Sequence, residues 1–201
     1  MKLYYAPGAC SLSPHIAARE AGIDIELEKV DFATRKTENG EDFNHVNPKG
    51  YVPALRLDNG EVLTECQVIV QYIADQVPDK QLIPKKGSLE RYRTEEWLSF
   101  IASEIHKTFG PLFRKDLPDE ERKLVMEKIA KRFTYVNECL EGKQFLMGEA
   151  FTVADGYLFT ILTWTKPAGI NLAAYPNIAG YMERIRVRPA VQTALKEEGL
   201  A

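Results

Sequence analysis

The chain has 201 residues, of which 45% are hydrophobic and 27% are charged, a composition typical of a folded globular protein and not of a disordered one. A formal net charge of −3 argues against a nucleic-acid partner held by phosphate contacts. No apolar run approaches the roughly 20 residues that span a bilayer, no export signal is evident, and three widely spaced cysteines fit a reducing compartment, so we predict a cytoplasmic protein without a membrane partner.

Seven elements are predicted in the first third of the chain, in the order β-α-β-α-β-β-α. Strands are indicated by short alternating or apolar runs, and helices by longer periodic runs that end at Gly22 or before Pro78. This order matches a thioredoxin-like sheet. The predicted strands cover 2–5, 25–30, 53–57 and 62–64, and the predicted helices cover 11–21, at most a short segment after the charged stretch 35–42, and 65–77.

A polar stretch with chain-breaking residues and no periodicity predicts a linker at 79–87. It separates a domain at 1–78 from a second domain at 88–201, where no strand is indicated. The predicted fold class is therefore α/β plus all-α, with a thioredoxin-like N-terminal domain followed by an all-helical C-terminal domain. Its predicted helices cover 89–112, 119–140 and 152–165, with Pro176 and Pro189 in the first turns of two more.

The most informative motif runs from Asn47 to Leu55 and places Pro53 where a strand pattern begins. Proline cannot donate to a β-ladder, so Pro53 belongs at the start or edge of the strand. A cis Val52–Pro53 bond would turn the free N–H and C=O of Val52 into a cleft, where they can pair with an extended peptide. Glu65 follows at a predicted helix start with free N–H groups. Such a site suits a short peptide that carries both an amine and a carboxylate.

Cys10 follows the first strand and a Pro-Gly turn, at or just before a helix N-terminus. Free helix-start N–H groups can lower the pKa of a thiol and enrich the nucleophilic thiolate. The alternative is that Cys10 is only a small buried hydrophobic residue. Its position at a helix start favours a reactive thiol. The sequence Cys10-Ser11-Leu12-Ser13 contains no second cysteine, so the motif predicts monothiol chemistry at most.

One face of the helix predicted from Leu89 carries polar residues at spacings of four, three and four. His106 lies on this face and is the histidine we expect to act at a site, next to Lys107. A solvated polar face is the alternative. His15 and His45 are predicted to be surface or locally hydrogen-bonded residues, and Asp155 is predicted to cap a helix as the acid of a Thr-x-x-Asp capping box. The polar face comprises Ser99, Ser103, His106 and Gly110.

Several chemistries lack their motifs. Three cysteines and three histidines show no paired metal-ligand spacing, so no metal is predicted. Neither a G-x-S-x-G elbow nor a glycine-rich phosphate loop occurs, which excludes the usual serine-hydrolase and nucleotide-binding signatures.

Taken together, five motifs in order resemble the bacterial beta-class glutathione transferases over essentially the whole chain. The resemblance implies the glutathione transferase fold, a homodimer, glutathione as cosubstrate and no other cofactor. It implies an activity in which the glutathione sulfur is conjugated to small hydrophobic electrophiles in detoxification. The motifs are Pro7 to Ser11, Asn47 to Leu55, Leu63 to Glu65, Glu104 to Lys107 and Phe151 to Asp155.

The resemblance also implies roles for individual residues. Cys10 and His106 would lie beside the glutathione sulfur as catalytic residues. The family usually has Gly or Ser where this chain has Cys66, so the hydroxyl contact at that position is not expected and the role of the thiol stays open. The glutathione-binding residues would be Val52, Pro53, Glu65, the N–H of Cys66, Arg35 or Lys36, Ser103 (which can also reach the partner subunit's site) and Lys107.

Alternatives remain at this point. Tyr5 and Ser11 are weaker candidates for the group beside the sulfur, because other classes of the family use a hydroxyl there. A thiol-disulfide oxidoreductase using Cys10 and a non-catalytic binder of hydrophobic ligands are the alternative functions. The electrophile is not identified by the sequence, but its pocket is expected near Phe109, Phe113, Trp164 and Thr165.

Overall fold

A computed structural model describes residues 1–201. Its first part is a five-stranded sheet with strand order β3-β2-β1-β4-β5, in which β1 and β2 are parallel and the other pairs are antiparallel. The predicted element order is confirmed, with β3 as an addition. The strands are β1 (Lys2–Tyr5), β2 (Glu26–Asp31), β3 (Lys36–Thr37), β4 (Ala54–Arg56) and β5 (Val62–Thr64), and the helices are α1 (Leu12–Ala21), α2 (Phe43–Val46) and α3 (Cys66–Asp75).

The two faces of the sheet follow the two-residue period of its strands. Leu3 and Leu55, which are cross-strand partners, belong to the large core that includes α1 and α3. Tyr4 and Ala54, the next pair, belong to a small second core with Phe43 of α2. The sheet is therefore covered on both faces, and the charged stretch after β2 is explained by its position at the edge.

Strand β3 lies within that charged stretch and was not predicted. It has only two residues, Lys36 and Thr37, and pairs with the end of β2. Two residues are too few to show the alternation of side chains by which a strand is recognised. The predicted short helix follows it as α2, where the Asp42 side chain accepts the N–H of Asn44.

The second part of the chain is entirely helical, as predicted. None of its helices is both long and apolar enough to cross a membrane. The segment 79–87, predicted as a linker, carries two side chains, Leu82 and Ile83, that are buried in the large core. The helices are α4 (Leu89–Phe100), α5 (Lys107–Phe109), α6 (Asp119–Cys139), α7 (Val153–Thr163), α8 (Thr165–Ala168), α9 (Pro176–Arg186) and α10 (Pro189–Glu197).

The helix predicted over 89–112 is not uniform. A π-helical segment, Ile101–His106, separates α4 from α5, and a 3₁₀ turn follows at Gly110–Phe113. A π-helical turn has a wider period than an α-helix and is frequent at functional sites. The segment ends at His106, so its wider period determines the direction of the His106 side chain.

Helix α7 is the central helix and joins both parts through one continuous core. Gly156 allows its close approach to α1, because a Cβ there would lie 3.3 Å from Cγ2 of Ile16. The predicted capping box is confirmed: Asp155 accepts the N–H of Thr152 and also that of Leu146. Burial raises the pKa of Asp155 to about 6, against the effect of these hydrogen bonds. Its role is structural.

Candidate functional site

A cleft of about 560 Å³ lies between the sheet and the π-helical segment. A larger cavity of about 860 Å³ lies beside the segment 79–87, but no cysteine or histidine lines it. The chemistry of the side chains therefore favours the smaller cleft. It is lined by Cys10, Tyr51, Val52, Pro53, Glu65, Cys66, Gln67, Ser99, Ala102, Ser103, His106, Lys107 and Tyr157.

Eight of the nine predicted site residues line this cleft. The exception is Arg35, whose Nη1 donates to the carbonyl O of Gly50 at 2.5 Å and which lies outside the lining. Its guanidinium holds the loop before Tyr51, and a ligand contact from Arg35 stays a prediction. Lys36, the alternative, lies in β3 and also outside the lining.

The sheet side of the cleft begins at Val52. The Val52–Pro53 peptide bond is cis, as predicted. Sγ of Cys10 lies 3.3 Å from the carbonyl O of Val52, whereas the N–H of Val52 has no acceptor within the chain. An N–H that is unpaired at the wall of a cleft is available to a ligand.

Glu65 stands immediately before α3 and has φ of 72°, a backbone conformation rare for a residue with a Cβ. Its Oε1 accepts Nζ of Lys49 at 2.7 Å and the hydroxyl of Tyr51 at 2.8 Å. The hydrogen bond from Lys49 lowers the pKa of Glu65, and Tyr51 and Lys107 lower it further. Oε2 makes no hydrogen bond within the chain, so a charged carboxylate oxygen remains free at the cleft.

The Cys10 thiol lies at the bottom of the cleft. Its pKa is lowered to about 5, chiefly because the Cys66 thiol donates to its sulfur. Burial opposes this shift, and a hydrogen bond and the charge of His106 add to it. Near neutral pH Cys10 is therefore mainly a thiolate, the nucleophilic form of cysteine.

Four polar side chains of the cleft, Cys10, Cys66, Tyr157 and His106, form a cluster. The hydroxyl of Tyr157 lies 2.7 Å from Nδ1 of His106, and Sγ of Cys66 lies 3.3 Å from the carbonyl O of Cys10. Burial raises the pKa of Cys66, and the neighbouring Cys10 raises it further. The cluster therefore contains one thiolate and one thiol beside a hydroxyl and an imidazole.

An aromatic surface continues from His106 toward the solvent. The His106 ring contacts Trp164 edge-on, with centroids 5.0 Å apart, and Trp164 contacts the half-exposed Phe113 in the same way. Phe109 and Thr165 are buried. Of the four residues expected near the electrophile pocket, only Trp164 and Phe113 therefore present accessible surface.

The loop that carries Cys10 is held by the far end of the chain. Glu198 accepts the N–H of Gly8 at 2.9 Å, and the indole N–H of Trp164 donates to the carbonyl O of Gly8 at 2.7 Å.

His15 is completely buried, with Nδ1 at 3.0 Å from Glu198 and Nε2 at 2.7 Å from Glu197. The prediction that His15 is a surface or locally bonded residue is wrong, because its partners are far away in sequence.

Two cleft residues, Tyr157 and Tyr51, were not predicted as site residues, and neither was Lys49, which lies outside the lining and contacts Glu65. Tyr157 lies in the apolar run of α7, where nothing distinguishes it from a core aromatic residue. Lys49 and Tyr51 flank Gly50 in the Asn47 to Leu55 motif, and their position beside a predicted ligand-binding edge is the signal that could have found them. No three His, Cys, Asp or Glu side chains are arranged as metal ligands, and the absence of a metal from the reaction stays a prediction.

Comparisons with known proteins agree along the whole chain. The family descriptions "Glutathione S-transferase, N-terminal domain" and "Glutathione S-transferase, C-terminal domain" match residues 8–76 and 100–189. The chain is 50% identical over 200 residues to glutathione S-transferase GstA of Escherichia coli O157:H7, with all of both chains covered. It superimposes with a TM-score of 0.98 on BphK, described as a bacterial GST, at 52% identity and full coverage of both. A sphingomonad glutathione S-transferase in complex with glutathione gives a TM-score of 0.96, also at 52% identity and full coverage of both.

Proposed function

The chain belongs to the glutathione S-transferase family, and we propose that it joins the sulfur of glutathione to small hydrophobic electrophiles in the cleft between its sheet and its helices. One observation carries this proposal: a peptide-binding edge at Val52 faces, in the same cleft, the charged and polar groups around Cys10 and His106. A tripeptide thiol fits both.

The sheet side supplies the groups that would hold glutathione. The N–H of Val52 is free to pair with the cysteinyl residue, and Oε2 of Glu65 is free to accept the α-amine. The N–H groups at the start of α3, including that of Cys66, suit the α-carboxylate of the same γ-glutamyl end. Ser103 and Lys107 face these groups from the helical side and are assigned to the glycyl end.

The thiol of bound glutathione must lose its proton to react. Fixed donors and a nearby cation stabilise a thiolate, and each unit of pKa corresponds to about 1.4 kcal/mol. His106 and Lys107 are the cationic or donor groups of the cleft, and Tyr157 holds the His106 ring through Nδ1. The thiolate would then attack an electrophile resting on the surface of Trp164 and Phe113.

Thiol-disulfide exchange through Cys10 is a second candidate, favoured by the lowered pKa of that thiol. A Cys10→Ser variant separates the two activities, since it should lose disulfide reduction and retain conjugation. The cluster of Cys10, Cys66, Tyr157 and His106 in the cleft supplies reactive groups, which argues against a non-catalytic binder. The proposal further includes a homodimer, a cytoplasmic location, a role in detoxification and the use of glutathione without any other cofactor, in line with the family.

The test is turnover with glutathione on a panel of aryl halides, epoxides and enones. We expect saturable conjugation with at least one class. In a Cys10→Ala background, where the protein's own thiolate does not contribute, added glutathione should raise the ultraviolet absorption of a thiolate near neutral pH.

The outcomes are distinct. Glutathione affinity without turnover on any electrophile would establish a binder and refute the transferase. Turnover without a rise in thiolate absorption would refute the activation step alone.

A further inference from the structure

Cys66 places a second thiol against Cys10 in the same cleft. Its Sγ lies 3.3 Å from the carbonyl O of Cys10, so the second thiol is packed directly against the residue that carries the first. Both are free cysteines, and both line the cleft. The two cysteines are 56 positions apart in sequence, so the local Cys10-Ser11-Leu12-Ser13 motif does not show the second thiol.

We propose that Cys66 is the resolving thiol for Cys10 and that the cleft reduces disulfides through a reversible Cys10–Cys66 disulfide. The proposal deepens the thiol-disulfide candidate above and rests on the glutathione site only for the step that returns the enzyme to its reduced form. The chemical class of substrate is a small disulfide or a mixed disulfide with glutathione.

The reaction balances in four exchanges, the last two of them with glutathione. The Cys10 thiolate attacks a disulfide RSSR′, forms a Cys10–SR bond and releases R′S⁻, which takes up a proton. The Cys66 sulfur then attacks Sγ of Cys10, forms the Cys10–Cys66 bond and releases RS⁻, which also takes up a proton. Two glutathione molecules reduce that bond and leave as glutathione disulfide, so the substrate gains two electrons and two protons and two glutathione thiols lose them.

The second exchange needs the Cys66 proton to leave. The departing RS⁻ can take up this proton, because it leaves from the Cys10 sulfur in the same cleft that Cys66 lines. The charge of the Cys10 thiolate raises the pKa of Cys66, and this charge disappears once Cys10 is bonded to the substrate sulfur. Cys66 therefore becomes easier to ionise at the step that requires it.

The test exposes the reduced protein to glutathione disulfide and, in parallel, to 2-hydroxyethyl disulfide. Samples are quenched in acid, alkylated and measured by intact mass and peptide mapping. We expect the parent to lose two hydrogens, to carry no adduct and to yield a linked Cys10–Cys66 peptide. A Cys66→Ser variant should instead keep one adduct on Cys10. Cys66→Ala checks this if the serine variant folds poorly, and Cys139→Ser is the matched control that should behave as the parent.

Each outcome decides the proposal. A persistent adduct on Cys10 of the parent with Cys66 still alkylated, or no modification by either disulfide, overturns it. Linkage with 2-hydroxyethyl disulfide but not with glutathione disulfide supports the resolving thiol and counts against the glutathione site. Linkage together with failed conjugation refutes the transferase activity and leaves the dithiol activity standing.

Discussion

The two walls of the cleft are built in different ways. The sheet wall presents backbone groups and one carboxylate, at Val52 and Glu65, beside a strand and at a helix start. The helical wall presents side chains, chiefly His106 and Tyr157, which belong to the π-helical segment and to the buried helix α7. The sheet wall is suited to hold a peptide, and the helical wall to adjust the ionisation of sulfur.

This division means that substitutions on the two walls should change different measurements. A variant of the sheet wall should change the affinity for glutathione, and a variant of the helical wall should change the pH dependence of thiol reactivity. Where one wall is held in position by the other, a single substitution should change both measurements. The strongest such dependence is the contact between the Cys10 loop and the end of α10.

The largest effect is expected for His15→Ala. The buried carboxylate of Glu198 is hydrogen-bonded to Nδ1 of His15 and to the N–H of Gly8. Removing the imidazole therefore leaves one oxygen of a buried carboxylate without its partner. Leaving a buried polar group without its hydrogen-bond partner costs about 1–3 kcal/mol, and more where the group is charged. Urea unfolding followed by circular dichroism measures the change.

The matched control is His45→Ala, because His45 is exposed and its loss should change the free energy of unfolding by no more than about 0.5 kcal/mol. Equal stability of the two variants would show that the sheet wall is held without the end of the helical part.

The next effect concerns Glu65→Gln. The amide keeps the shape of the side chain but loses the charge that would face the α-amine of glutathione. Hydrogen bonds to charged groups contribute about 1.5–3 kcal/mol, so we expect the Kd for glutathione to rise about 10-fold to 100-fold, measured by calorimetry. Glu61→Gln, an exposed residue just before β5, should bind glutathione as the parent does; an equal loss there would point to net charge as the cause.

The smallest effects concern the pH profile of Cys10. Alkylation of the parent should fall as pH drops through about 5, where the thiolate takes up a proton. Cys66→Ala should move this midpoint upward, toward the ordinary thiol value of about 8.5, because it removes the main donor to the sulfur. His106→Ala should also move it upward, because it removes a hydrogen bond and a charge that lower the pKa of Cys10.

Iodoacetamide rates at a series of pH values, with Cys139 replaced in every variant, give these midpoints. Unchanged glutathione affinity in His106→Ala, beside its altered midpoint, would support the division between walls. An unchanged midpoint in Cys66→Ala would contradict the claim that Cys66 is the main donor that lowers the pKa of Cys10.

Much of the sheet wall could be predicted from the sequence because its signals are local. Pro53 must begin a strand, and Glu65 precedes an apolar helical run within a few residues of a turn. The helical wall was predicted through the spacing of Ser103 and His106, and both line the cleft. In these cases the residue and the element that places it are neighbours along the chain.

What the sequence could not predict depends on contacts between distant segments. Tyr157 looks like a core aromatic residue until the structure brings its hydroxyl to His106. His15 looks like a local polar residue until α10 brings two carboxylates to its ring. Arg35 looks like a free surface cation until the structure brings its guanidinium to the carbonyl O of Gly50.

The contact between Gly8 and Glu198 also bears on the order in which the site can mature during synthesis. The two residues are 190 positions apart, so a nascent chain exposes the Cys10 loop long before the ribosome adds the residue that fixes its backbone. The sheet can pair its strands early, since they all lie before Cys66. Control of the thiol must wait until translation is nearly finished and α10 has emerged to dock.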